Sequence, residues 1–68
     1  MRLKITDLIH ELEIAGFVQR DATGHHMNYR HHAGINLTIH GEPGDDAKHY
    51  LIRDVRNAIH IIDNEQYY

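Results

Sequence analysis

Residues 26–40 restrict the possible folds more than any other stretch of the chain. Ile35, Leu37 and Ile39 alternate with polar residues, so they must share one face of an extended segment. In the segment before them, Met27 and Tyr29 are the alternating apolar pair. A two-residue turn at Ala33-Gly34 would set His32 opposite Ile35 and Arg30 opposite Leu37. That pairing puts inward residues across from outward ones, which the pleat forbids. A three-residue loop, His32-Ala33-Gly34, pairs His31 with Ile35, Tyr29 with Leu37 and Met27 with Ile39. It also puts Gly34 at the left-handed position that such loops need. The other face then carries His26 opposite His40, Asn28 opposite Thr38, and Arg30 opposite Asn36.

Helical spacing flanks this hairpin. Ile5, Leu8, Ile9, Leu12 and Ala15 predict a first helix over 7–15, with Thr6 as N-cap and Gly16 just past its end. Leu51, Val55, Ala58 and Ile62 predict a second, which Asp45 or Asp46 would cap and which runs to about Asn64. Phe17–Asp21 reads as a further strand, with a turn over Asp21–Gly24. The order is α-β-β-β-α, an α+β class with a three-stranded antiparallel sheet and both helices on one face. No internal repeat or linker divides the 68 residues, so one domain spans 1–68, with 63–68 as a frayed tail.

A chain this short buries only about 60% of its unfolded surface, and without cysteine it has neither disulfides nor thiolate zinc ligands to staple it. No apolar run approaches the roughly 18 residues needed to cross a membrane. Asp7, Glu11 and Glu13 follow the basic start too closely for a signal peptide, so a cytoplasmic protein is expected. The formal charge of −3 argues against a general polyanion binder, but protonating the eight histidines would reverse its sign. The charge is also unevenly spread. Residues 20–40 carry Arg20, Arg30 and five histidines against Asp21 alone, whereas Glu42, Asp45 and Asp46 follow together. The middle of the chain is where a phosphate would bind.

Imidazoles directly opposed on paired strands have Cβ atoms about 5 Å apart. At that spacing one ring serves as base and its neighbour as acid toward a group held between them. Arg30 on the same face would hold a phosphate. RNA brings its own nucleophile, the 2′-hydroxyl, so the arrangement of His26, His40 and Arg30 permits its cleavage without a metal or a covalent intermediate. Three plainer readings stand beside this one. Paired surface histidines are often only polar surface, and such a face also suits non-catalytic binding of RNA or protein. His25, His26, His31, His32 and His40 are numerous enough for a metal site, yet neighbours on a strand point to opposite faces. His10, His49 and His60 belong to the helices, and Tyr67 and Tyr68 to a tail.

The segment Gly24-His25-His26-Met27-Asn28-Tyr29-Arg30-His31 resembles the G-S-H-x-x-x-R-H stretch of HicA-type toxins, small bacterial mRNA interferases. Leu12-Glu13-Ile14-Ala15-Gly16-Phe17 is similar to that family's L-E-x-x-G-F/W entry from helix to strand, and Val55-Arg56-Asn57-Ala58 to its I/L-K-Q-A stretch. The resemblance implies a double-stranded-RNA-binding-domain-like fold and endoribonuclease cleavage of mRNA without a cofactor. It implies a hetero-oligomer with a HicB-type antitoxin. His26 falls on the family's catalytic histidine, with Gly24, His25, Asn28 and Arg30 around it toward RNA and His40 as its assistant. The chain differs where the family carries lysines and a Pro-Gly-Thr turn, having Glu42-Pro43-Gly44-Asp45-Asp46 there. The family's serine in G-S-H is His25.

Overall fold

The computed structural model describes residues 2–23 and 26–65. Helix α1 (Ile5–Ile14), strands β1 (Val18–Thr23), β2 (His26–Arg30) and β3 (Asn36–His40), and helix α2 (His49–Glu65) follow in that order. The strands form one antiparallel sheet with β2 in the centre. This is the α-β-β-β-α architecture expected from the periodicities, and it fits the double-stranded-RNA-binding-domain-like class.

The β2–β3 register agrees with the alternation argument at all five pairs, His26↔His40, Met27↔Ile39, Asn28↔Thr38, Tyr29↔Leu37 and Arg30↔Asn36. The His31 N–H donates to the Ile35 carbonyl at 2.9 Å and the Gly34 N–H to that of His31 at 2.9 Å, closing the three-residue loop. Gly34 has φ +92°, the left-handed geometry that a side chain would resist.

One cluster of buried side chains lies between the inner face of the sheet and the two helices. Ile5, Leu8 and Leu12 come from α1, and Leu51, Val55, Ala58 and Ile62 from α2. Phe17, Tyr29 and Ile39 complete it. Each fully buried aliphatic side chain contributes roughly 1.5–3 kcal/mol, the main support available to a chain without covalent staples. At the end of α1 the Gly16 N–H bonds Glu13 O at 3.0 Å and the Phe17 N–H bonds Leu12 O at 2.9 Å. With Gly16 at φ +99° and Phe17 and Leu12 both in the core, this is a Schellman ending that turns the chain straight into β1.

The capping expectations are corrected at both helix starts. Helix α1 begins at Ile5, so Thr6 lies inside it and Lys4 holds the N-cap position. The Lys4 N–H donates to Asp7 Oδ2 at 2.8 Å. The exposed donors of the first turn are met from far along the chain, Ile5 N–H by Asp45 O and Thr6 N–H by Pro43 O, both at 2.9 Å. Asp45 and Asp46 therefore do not cap α2, which starts at His49. Asp45 accepts from the Glu42 N–H at 3.1 Å to close its own loop, and Asp46 pairs with Arg2 and Lys4. Strand β1 is displaced toward Thr23 from the expected span, and α2 reaches Glu65, one residue past Asn64. The expected tail residues Tyr67 and Tyr68 lie outside the described residues.

Candidate functional site

The open face of the sheet is the face that the helices leave uncovered, and its occupants follow from the β2–β3 register. His26 and His40 meet there, their ring centroids 4.4 Å apart and the rings perpendicular. Both are exposed to solvent. Next along the strands, Thr38 Oγ1 donates to Asn28 Oδ1 at 2.7 Å, fixing the orientation of that amide. Arg30 then lies opposite Asn36, with both side chains exposed. Of the site residues expected from sequence, His26, His40, Asn28 and Arg30 thus share one face, while Gly24 and His25 lie outside the described residues.

The remaining histidines are divided by the same alternation. His31 is 4% exposed, packed edge-on against Phe17 with ring centroids 5.2 Å apart. Its Nδ1 accepts the Ala33 N–H at 3.0 Å, which supports the hairpin loop. His32 stacks on it from outside at 4.3 Å. His10 is exposed on α1, His49 begins α2, and His60 contacts Asn64 at 3.1 Å. No group of three His, Cys, Asp or Glu side chains converges among the described residues.

Two cations near this face were not selected as site residues from sequence. Strand β1 carries a bulge, because Gln19 pairs with Tyr29 while Asp21 pairs with Asn28, leaving Arg20 as the extra residue. Arg20 and Arg30 line one groove of about 300 Å³ with Asp21, Asn28, Asn36 and Thr38. Counting outward from buried Phe17 would have placed Arg20 on the open side. Lys48 lies with His40, Tyr50, Asp45 and Asp46 around a second cleft of about 410 Å³. Its neighbourhood depends on how the 41–48 loop folds back, which no local signal reveals.

Ion pairing sorts the positive charges. Arg2 and Lys4 hold Asp46 at 3.1 and 2.7 Å, Arg53 meets Asp54 at 3.4 Å, and Arg56 meets Glu11 at 3.2 Å. Hydrogen bonds from Lys4 and then Arg2 hold the Asp46 carboxyl below its ordinary value, and the same contact raises Lys4. Among the described residues, no carboxylate pairs with Arg20, Arg30 or Lys48. Asp46, Asp54 and Glu11 are thus committed to the scaffold. Lys48 lies by His40, whereas Arg20 and Arg30 line the groove further along the same face.

Comparison with family models matches residues 5–61 to a family described as the HicA toxin of bacterial toxin-antitoxin systems. The chain belongs to the HicA toxin family. The match takes in both helices to within a few residues of their ends and the whole sheet, so it covers the open face described above. Membership in HicA makes this chain the toxin member of a two-component system and implies an antitoxin partner. No curated protein and no solved structure matches the chain. Among the described residues of this HicA chain, no helix is long and apolar enough to cross a membrane.

Proposed function

We propose that the protein is a metal-independent endoribonuclease that cleaves mRNA in the cytoplasm, as a single toxin domain held in check by a HicB-type antitoxin. The observation that carries this reading is the His26–His40 contact, 4.4 Å between ring centroids on an open face with unpaired cations. The neutral ring of the pair takes the proton from an RNA 2′-hydroxyl. The freed oxygen attacks the adjacent phosphorus, and the charged ring gives its proton to the 5′-oxygen as the P–O5′ bond breaks. The products are a 2′,3′-cyclic phosphate and a 5′-hydroxyl, so the chemistry needs no metal and no covalent enzyme intermediate. General acid–base catalysis by such a pair supplies about 10²–10⁴-fold for each proton transferred. Arg30, at the other end of β2, binds a phosphate of the same RNA strand and so positions the strand on the face. Gly24, His25 and Asn28 complete the RNA-binding part of the site.

The test is incubation of the purified protein with RNA in EDTA, with end-group analysis and His26→Ala in parallel. Cyclic phosphate ends that disappear in the variant support the reading. Cleavage that survives His26→Ala removes this ring from the chemistry, and inhibition by EDTA replaces the scheme with a metal-dependent one. Intact RNA that nonetheless binds in a salt-sensitive way would instead make the face a binding module.

A further inference from the structure

We propose that the groove between the β1 bulge and β3 is a second nucleotide subsite, which takes a phosphate of single-stranded RNA other than the one that is cut. The inference rests on the RNA-cleavage reading for its substrate class and adds to it a residue, Arg20, and a direction along which the strand lies. Arg20 and Arg30 line the same groove, and neither is paired with a carboxylate among the described residues. The other arginines, Arg2, Arg53 and Arg56, each have such a partner. Two guanidiniums against the single Asp21 carboxylate leave this groove with a net positive charge, which favours an anion there.

The occupant is fixed by geometry as well as charge. Arg30 is four residues along β2 from His26, roughly 13 Å at the rise of an antiparallel strand. That span is beyond the reach of one phosphate, so the histidine pair and the arginine pair contact different nucleotides. The surface between them is polar, with the amide of Asn28 tethered to Thr38 at 2.7 Å. Asn36 and the Asp21 carboxylate also line the groove, and both suit the edge of an unpaired base, Asp21 as acceptor from an exocyclic amine. A strand laid along β2 therefore meets the histidines at one end and the two arginines at the other.

Binding of a labelled hexaribonucleotide, measured over a range of salt with cleavage blocked by His26→Ala, tests this directly. Adding Arg20→Ala is expected to weaken binding about tenfold and to lower the slope of log K against log salt by about 0.7. Arg20→Lys, which keeps the charge, should retain most of that slope. Arg53→Ala removes one positive charge from the far side of the molecule and should leave both quantities unchanged. If Arg20→Ala behaves like Arg53→Ala, or if the hexamer does not bind, the subsite is overturned. Arg20-dependent binding by a wild-type protein that does not cut RNA would sink the cleavage reading alone. Cleavage together with Arg20-independent binding would sink the subsite alone.

Discussion

His26 and His40 face each other across β2 and β3, with perpendicular rings 4.4 Å apart. Side chains directly opposed on paired strands reach a common small group, so both rings can act on one ribose-phosphate unit in the proposed cleavage. In that scheme one ring accepts a proton and the other gives one, without a third residue to divide the roles.

Substitution of either ring should expose this division. His26→Ala is expected to lower kcat by at least about 10²-fold, and His40→Ala by a comparable or smaller factor. The wild-type rate should be bell-shaped in pH, and each single variant should lose one limb of the bell. The double variant should be little worse than the poorer single one, because the rings act together. A His40→Ala enzyme with the full wild-type profile would remove His40 from the mechanism.

Arg30 should respond differently. Its exposed guanidinium forms no ion pair with a carboxylate among the described residues, so its loss should fall on RNA binding. Arg30→Ala is expected to lower kcat/KM by roughly 10–100-fold, with Arg30→Lys recovering only part because it lacks the planar fork. Steady-state kinetics on a defined oligoribonucleotide would show this; equal activity of all three proteins would contradict it.

Much of this face was legible before any coordinates. Alternation in two short segments and one glycine were enough to oppose His26 to His40 and Arg30 to Asn36, because a sheet turns residue parity into position. The parity of His31 likewise foretold its place on the inner side. What could not be read was anything resting on distant partners. Thr6 and Asp45 satisfy local capping rules, yet the donors of α1 bond to carbonyls some forty residues away. Net charge likewise says nothing of pairing: Arg20 and Arg53 each precede an aspartate, yet only Arg53 forms an ion pair with its neighbour.

His31 should matter for stability and not for chemistry. Removing a 4% exposed ring packed on Phe17 leaves a cavity and strands the Ala33 N–H that it accepts. His31→Ala is expected to cost about 2–3 kcal/mol in urea unfolding, whereas His32→Ala, on the exposed ring, should stay within about 0.5 kcal/mol. Equal destabilisation by the two would refute the buried role.

The Asp46 cluster predicts a pH window. Its carboxyl is held below the ordinary 3.8, so its contribution is complete above that value and is lost as pH falls through the lowered one. Lys4 is raised above the ordinary 10.5, so its share is complete below that value and disappears as pH rises through the raised one. Asp46→Asn should therefore be less stable than wild type at neutral pH, and the two proteins should converge toward both extremes. Thermal unfolding followed across pH measures this, and high salt should shrink the gap because the pairs are exposed. A gap independent of pH would rule the ion pairs out as its source.

The loop around Pro43 and Asp45 closes the first turn of α1, and Asp46 ties down Lys4 from 42 residues further along the chain. During synthesis the first helix emerges long before the carbonyls that complete it, and α2, which covers the core, emerges later still. A nascent chain that has emerged only through His40 thus carries both histidines but lacks the closure that holds its first helix in place. If the proposed cleavage of mRNA is its activity, the toxin gains its closed first helix and covered core only with the final third of the polypeptide.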